Sequence, residues 1–168
     1  SGRDANTVDT ANALGNLGLI YATRGDLDRA EEMNLRSIAI NEKLGREENI
    51  ASQYGNLGAI YQTRNEVERA EEMHQKSLRI HEKLGCQEGI ASQYGNLGAI
   101  YQRRGDLDRA EEMHKKSLGI NEKLGRQENS ASDYGNLGLI YKTRGDPNRA
   151  EEMLLKALAI QEDLSLQE

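Results

Sequence analysis

An asparagine recurs every forty residues in this chain, and its side chain is the best candidate for binding chemistry. The four copies are Asn16, Asn56, Asn96 and Asn136. An asparagine amide offers one oxygen acceptor and two N–H donors, so a row of them at constant spacing suits the backbone of an extended peptide, whatever its side chains. The alternative is that these amides only bond neighbouring segments of the fold. The row is therefore a candidate peptide-binding site, with a structural role as the competing interpretation.

Three histidines are the other side chains whose chemistry needs an explanation. His74 and His114 hold the same place in two copies of a repeat, and His81 follows His74 by seven residues. A zinc site needs three or four convergent ligands, whereas equivalent residues of neighbouring copies lie roughly 10–20 Å apart. We therefore expect packed histidines, no metal site and no cofactor. The chain also lacks a P-loop, a G-x-G-x-x-G after a strand and an H-E-x-x-H motif, so we expect no enzyme within these residues.

These residues recur because the chain is built from copies of one forty-residue unit. The copies run over residues 11–50, 51–90, 91–130 and 131–168. A fixed period of this size is the signature of a solenoid of stacked repeats. Residues 1–10 depart from the pattern and are expected to lead into the first helix, with Asp9 or Thr10 as its cap.

Each unit is predicted to form two helices, A and B, joined by a tight turn. In the first unit, apolar and small residues at helical spacing predict a helix A that reaches about Arg24 and ends at Gly25. Asp26 is expected to cap helix B, which stops at Gly45. In the fourth unit Pro147 follows the equivalent aspartate, in the place preferred for the first helical residue. The chain is therefore predicted to be all-α.

The spacing within the unit resembles that of the tetratricopeptide repeat. The pattern residues of the second copy, at positions 4, 7, 8, 11, 20 and 28, are Tyr54, Leu57, Gly58, Tyr61, Ala70 and Leu78. The usual repeat has 34 residues and a proline at position 32, whereas this chain has a glutamate there, so helix B is expected to run on. The forty-residue form is most similar to the repeats of the Pins/LGN polarity adaptors and their bacterial relatives, which share the wording Y-x-N-L-G-x-x-Y and E-K-L-G. The resemblance covers residues 11–168.

The resemblance implies a right-handed α-solenoid of four hairpins whose A helices line a concave groove. Gly58 and its equivalents then lie where helix A crosses helix B, against Ala70 and its equivalents. Gly55 and its equivalents face the groove and admit a ligand backbone, and the asparagine row resembles a ladder that grips it. The residues expected to bind the peptide are Asn16, Asn56, Asn96, Asn136, Gln62, Gln102, Arg64, Arg103, Arg104, Lys142 and Arg144.

The net charge of −6 argues against nucleic acid or an anionic membrane as the partner, because both need a concentrated basic patch. The A helices nevertheless carry more basic than acidic residues, which favours a peptide rich in Asp or Glu. Arg103 and Lys142 are unique to their repeats and are the better candidates for specificity. The alternative for the arginines at position 14, such as Arg64, is that they complement the helix dipole and pair with acids of the next cap.

The last helix B carries an unusual number of leucines. They are Leu154, Leu155, Leu158, Leu164 and Leu166. No polar capping helix follows and the last copy stops in mid-pattern, so we expect an array cut from a longer protein. Exposed leucines favour a partner. We expect self-association through this end, either as a tail-to-tail dimer, favoured in dilute solution, or by stacking on the first helix A of another chain.

The sequence thus predicts a non-catalytic scaffold that binds an extended, acidic peptide in the groove of the A helices. Two alternatives remain: a self-assembling array with no peptide ligand, and the regulatory arm of a longer enzyme or signalling protein. The only cysteine, Cys86, has no partner for a disulfide within the chain, which favours a reducing, cytoplasmic compartment. No apolar run approaches the roughly 20 residues needed to span a bilayer, so we expect a soluble protein.

Overall fold

The computed structural model describes residues 2–166, with side chains described from residue 7 onward. Within this range the chain forms eight helices and no strand. The helices are α1 (Gly2–Thr23), α2 (Leu27–Leu44), α3 (Glu47–Thr63), α4 (Val67–Leu84), α5 (Gln87–Arg103), α6 (Leu107–Lys123), α7 (Gln127–Thr143) and α8 (Pro147–Ser165). They pair into four antiparallel hairpins, α1 with α2 through α7 with α8. The predicted all-α repeat of four hairpins is confirmed.

The predicted start of the first helix is wrong. Helix α1 already begins at Gly2, so Asp9 and Thr10 lie inside it and neither caps it. The later A helices also start early, four residues before the repeat units as drawn from the sequence. The reason is local: the glycine that ends each helix B turns the chain in a left-handed conformation, and one further residue suffices before the next helix.

The turns inside the hairpins are made by the residues that the sequence indicated. The aspartates at the start of α2, α6 and α8 accept a hydrogen bond from the backbone N–H three residues on, at 3.3, 3.2 and 3.1 Å. Pro147 is the first residue of α8. Gly25 has a φ of 80°, a left-handed conformation that a side chain would strain. The second hairpin departs from this pattern, because Asn65 has a φ of 62° there and the side chain of Glu66 makes no cap bond.

The chain divides into two compact units, residues 1–85 and 86–168. Each unit contains two hairpins, and helix B of the first hairpin packs on helix A of the second. We call these contacts seams: one lies between α2 and α3, the other between α6 and α7. The seams bury apolar side chains that a single hairpin leaves exposed, so each hairpin depends on its neighbour for a core.

Glycine lets the two helices of a hairpin approach closely, as the sequence indicated. A Cβ atom added to Gly58 would lie 2.5 Å from the ring of His74, and one added to Gly98 would lie 2.7 Å from the ring of His114. Ala70, the expected small neighbour, is fully buried. The nearest atoms are nevertheless those of the histidine rings, so the tight contact is between glycine and a large buried side chain.

Candidate functional site

The asparagine row differs from one repeat to the next in its hydrogen bonds. Asn56 donates through Nδ2 to Oδ1 of Asn34 at 3.3 Å and to Oε1 of Gln53 at 3.4 Å, so its amide joins α3 to α2. Asn16 is exposed and Asn136 is half-buried, and neither side chain hydrogen-bonds another described residue. Asn96 is half-buried as well. The amide of Asn56 therefore stabilises the α2/α3 seam. The amides of Asn16 in the first unit and Asn136 in the second have unused donors and an unused acceptor.

Asn56 also borders a cavity of about 110 Å³ in the first unit. The cavity lies between α1, α2 and α3 and is lined by Gly18, Leu19, Ala22, Leu27, Asn34, Asn56, Ala59, Ile60 and Thr63. Its walls are mostly apolar, with the two amides as the polar groups. A recess of this size suits one aliphatic side chain and is too small for a drug-sized ligand.

The equivalent place in the second unit carries larger side chains. His114 stands where the first unit has Asn34, Gln102 where it has Ala22, and Leu139 where it has Ala59. Leu139 is nearly half exposed, so it presents an apolar side chain in place of a recess. The two units therefore offer different surfaces beside the same asparagine position. This difference comes from the few residues in which the repeats diverge.

Three of the glycines expected to face the groove are Gly15, Gly95 and Gly135. Only Gly135 has open space where a side chain would begin. A Cβ atom added to Gly15 would lie 2.7 Å from Nε2 of Gln53, so the next hairpin already covers that glycine. At Gly95 the nearest atom would be Oγ of Ser117 at 3.6 Å. At Gly135 no atom would lie within 4 Å. Close approach of a ligand backbone is therefore possible beside Gly135 but is blocked at Gly15.

Two of the arginines at position 14, Arg64 on α3 and Arg144 on α7, are held by acids of the preceding helix B. Arg64 pairs with Asp28 at 2.5 Å and with Glu31, which also accepts a hydrogen bond from the hydroxyl of Tyr61 at 2.6 Å. Arg144 pairs with acids of α6 in the same way. Arg64 also lies 3.7 Å from Glu66, the cap residue of the next helix, as the sequence-based alternative expected. The acids of the preceding helix B are further partners that this alternative did not name.

The same arrangement in the second unit is a Tyr–Glu–Arg triad at the α6/α7 seam. Glu111 accepts a hydrogen bond from the hydroxyl of Tyr141 at 2.6 Å and pairs with Arg144 and, at 2.6 Å, with Lys115. Burial alone would raise the pKa of Glu111, but hydrogen bonds from Lys115, Tyr141 and Arg144 lower it to about 2. In the first unit, burial and the hydrogen bond to Glu31 raise the pKa of Tyr61 to about 12. The sequence analysis missed these triads, although the Tyr, Glu and Arg recur in every copy.

The remaining candidate cations and amides lie at or near the ends of the A helices. Arg103, Arg104 and Lys142 are exposed, and Gln62 and Gln102 are half-buried. Lys142 pairs with no described acid and lies beside a groove on α8. The basic character of the A helices is thus reduced where the acids of helix B neutralise it.

A buried carboxylate in the second unit is a further residue whose role the sequence did not reveal. Asp133 on α7 accepts hydrogen bonds from Ser117 Oγ at 2.8 Å and Asn121 Nδ2 at 2.9 Å, and lies 3.3 Å from Nδ1 of His114. All four side chains are buried. In the first unit the equivalent serine, Ser37, instead donates to a backbone carbonyl of α1. The cluster joins α6 to α7 and faces no solvent, so it stabilises the seam.

The histidines pack as expected. His74 and His114 are fully buried against glycines of the facing helix, and His81 is buried as well. Among the residues with described side chains, no group of three or more His, Cys, Asp or Glu is placed to hold a metal ion. No helix in the described part of the chain is both long and apolar enough to cross a membrane.

The leucines of α8 differ in what surrounds them. Leu154, Leu155 and Leu158 line an open groove of about 480 Å³ together with Lys142, Pro147, Ala150 and Glu151. Leu164 is half-buried beside the turn that precedes α7, and Leu166 is almost fully exposed at the end of α8. The apolar surface expected at this end is therefore present, and its centre is the groove along α8.

The comparison with known proteins agrees with this architecture. The sequence profile described as tetratricopeptide repeat matches residues 9–83 and 89–163. No curated protein matches the chain in sequence. The crystal structure of BtubC (BKLC) from P. vanneervenii is similar over 92% of this chain and 64% of that one, with 29% identity and a TM-score of 0.84. This chain therefore spans less than two thirds of the length of that relative.

Two further crystal structures share the fold at lower identity. MamA is 22% identical, with a TM-score of 0.73 over 92% of this chain and 80% of its own. The apo form of RapI is 18% identical, with a TM-score of 0.87 over 94% of this chain and 44% of its own. Proteins built from this repeat generally mediate protein–protein interactions and are typically non-catalytic. From its profile match over most of its length and its four helical hairpins, the chain belongs to the tetratricopeptide repeat family.

Proposed function

We propose that this chain is a non-catalytic scaffold that binds an extended, acidic peptide along the side of the A helices that carries the asparagine row. The observation that carries the proposal is that Asn16 in the first unit and Asn136 in the second hydrogen-bond no other described residue. A half-buried amide such as that of Asn136 usually has a hydrogen-bond partner, so an amide without one in the protein is a candidate ligand contact. The resemblance to the Pins/LGN repeats supports an adaptor role.

The ligand also needs an apolar side chain. The cavity beside Asn56 has apolar walls and is large enough for one aliphatic side chain. At the equivalent place in the second unit, the exposed side chain of Leu139 offers an apolar contact surface. An extended peptide with a leucine or valine among its acids satisfies both features. The main-chain amides of such a peptide pair with asparagine, and its apolar side chain anchors it at one position.

The preference for acidic residues rests on fewer cations than the sequence indicated. Arg64 and Arg144 are engaged by Glu31 and Glu111 and their neighbours. Lys142 pairs with no described acid, and Arg103 is exposed next to it in the row of repeats. We therefore assign the attraction for acidic residues to Lys142 and Arg103. We also propose a cytoplasmic location, because a single cysteine cannot form a disulfide within the chain.

The test uses a fluorescein-labelled peptide of Asp, Glu and Ser with one central leucine, and its counterpart with Lys in place of the acids. Fluorescence anisotropy should show that the acidic peptide binds more tightly and that salt weakens it. Replacing Asn16 and Asn136 together with alanine should weaken binding by at least about fivefold, since each lost hydrogen bond contributes about 1 kcal/mol. Asn129→Ala, an exposed asparagine outside the row, is the matched control.

The proposal fails in two distinguishable ways. Equal affinity for the acidic and basic peptides would remove the charge preference but leave the asparagine row intact. Unchanged affinity in the double asparagine variant would place the peptide elsewhere, whatever its charge.

A further inference from the structure

The seam within the first unit and the seam within the second are built from the same set of residues. At the first, α3 places Tyr61 and Arg64 on Glu31 of α2, and at the second, α7 places Tyr141 and Arg144 on Glu111 of α6. The apolar part of each seam is equally regular. It consists of a leucine and an isoleucine of helix A, which are at most 2% exposed, and an aliphatic residue of helix B, which is at most 9% exposed: Leu57, Ile60 and Ile38 in the first unit, and Leu137, Ile140 and Leu118 in the second.

Helix α8 carries the helix B half of this seam with nothing packed on it in the described structure. We call Ala150, Glu151, Leu154 and Leu158 the tail surface. Leu158 is equivalent to Leu118, yet it is 48% exposed. Glu151 is equivalent to Glu31 and Glu111, yet it is exposed and has no partner among the described residues. The groove of about 480 Å³ along α8 is the place that a helix A occupies in the two complete seams.

Helix α1 carries the helix A half of the same seam, also uncovered. We call Leu17, Ile20, Tyr21 and Arg24 the head surface. Leu17 and Ile20 are 39% and 45% exposed, where their equivalents in α3 and α7 are buried. Arg24 is exposed and pairs with no described acid, although the equivalent arginines of α3 and α7 each pair with two acids of the preceding helix B. The head surface therefore supplies the leucine, isoleucine, tyrosine and arginine that pack on helix B in the complete seams and that the tail surface lacks as partners.

We propose that the head surface of one copy packs on the tail surface of another and so forms a seam of the same kind between chains. Glu151 of one copy accepts a hydrogen bond from Tyr21 of the next and pairs with its Arg24, as Glu31 does with Tyr61 and Arg64. The charges are complementary, and the exposed leucines and isoleucine of the two surfaces cover one another. This association does not depend on peptide binding, although Lys142, which we assign to the peptide site, also lines the groove on α8.

One residue of the tail surface departs from the two complete seams. Position 24 is Asn34 in α2 and His114 in α6, whereas α8 has Leu154, which packs against Gly138. In the first unit Asn34 accepts from Asn56, so Leu154 offers no equivalent bond to Asn16 of the next copy. The asparagine amide that binds peptide thus stays unpaired in the proposed contact.

A head-to-tail contact is preferred over the tail-to-tail dimer expected from the sequence. In a tail-to-tail pair the head surfaces stay uncovered and the two copies of Glu151 approach a surface whose one cation is Lys142. Leu155 also has a lesser role than the sequence indicated, because its equivalent Leu35 stays 48% exposed although α3 covers α2. A head-to-tail contact joins two different surfaces, so copies add in series.

The test is sedimentation of the purified chain from about 1 μM to about 1 mM, a range that includes weak association. The expected result is an average mass that rises steadily beyond that of a dimer. Leu158→Glu removes the tail surface and Ile20→Glu removes the head surface, and each should weaken association by at least about a hundredfold because a carboxylate would be buried unpaired. Leu35→Glu, which changes a leucine of matching exposure outside both surfaces, should leave association unchanged.

A mixture of the two variants gives the decisive result. The intact head of the Leu158→Glu chain fits the intact tail of the Ile20→Glu chain, so the mixture should form one-to-one dimers that grow no further. A second pair keeps the test valid if the leucine variants lose helicity in circular dichroism. Arg24→Glu and Glu151→Arg should each dissociate the chain, and the chain with both changes should associate again.

Three outcomes would overturn the proposal. The unmodified chain stays monomeric at the highest concentration, Ile20→Glu associates as well as the unmodified chain, or the folded variants fail to form dimers when mixed. The second outcome, together with dissociation by Leu158→Glu, would establish the tail-to-tail dimer instead.

Discussion

Removing the carboxylate of Asp133 should destabilise the α6/α7 seam more than any exposed substitution. The side chain is 4% exposed and accepts from Ser117 Oγ at 2.8 Å and Asn121 Nδ2 at 2.9 Å, with His114 Nδ1 at 3.3 Å. In Asp133→Ala these three buried groups lose their common partner. Asn121 keeps one bond, because its Nδ2 also lies 3.1 Å from Oγ of Ser117.

The size of the loss follows from what is left unpaired. A buried polar group without a partner costs about 1–3 kcal/mol. Two groups fully affected and one partly affected therefore place Asp133→Ala at about 2 kcal/mol or more, a folding equilibrium changed by at least about twentyfold. Asp133→Gln should cost less, since the first unit has Gln53 at this position and its Oε1 accepts a hydrogen bond from Asn56.

The assay must resolve the second unit, because repeat proteins unfold in parts and a single transition is not assured. Urea denaturation followed by circular dichroism measures the loss for the whole chain. Hydrogen exchange of the α6 and α7 amides measures it at the seam, where protection should fall while protection of α2 and α3 is retained. A loss below about 1 kcal/mol for Asp133→Ala, or an equal loss of protection in both units, would refute the account of the cluster.

Three smaller predictions use the same denaturation assay. Gly119→Ala in α6 should stabilise by about 0.5–1 kcal/mol, because its added Cβ meets no atom within 4 Å; destabilisation would contradict this. Gly98→Ala should destabilise by about 1–3 kcal/mol, because its Cβ would lie 2.7 Å from His114. The pKa of about 2 at Glu111 predicts stability that is present above pH 4.5 and lost as the pH falls toward 2. Glu111→Gln should be less stable at neutral pH and lack this acid-sensitive part.

The helical hairpins could be predicted from the sequence because their signals are local. The period of forty residues, the aspartate caps and the glycines after each helix act within a few residues of the chain. Asp26 and Pro147 occupy the positions that these rules assign. Only the start of the first helix escaped prediction, because residues 2–10 carry no repeat pattern and still belong to α1. Local rules locate repeated helices more reliably than helices that extend beyond the repeat.

The partners of the polar side chains were decided by the stacking of hairpins. The sequence offered a peptide or the next cap as partners of Arg64, and only the α2/α3 seam adds Glu31 and Asp28 of the preceding helix to the cap residue Glu66. Asn16 and Asn56 are equivalent in sequence, yet one is unpaired and the other is bonded to α2 and to its own helix. Identical residues acquire different roles because each contact depends on which neighbouring hairpin is present, and that is a property of tertiary packing.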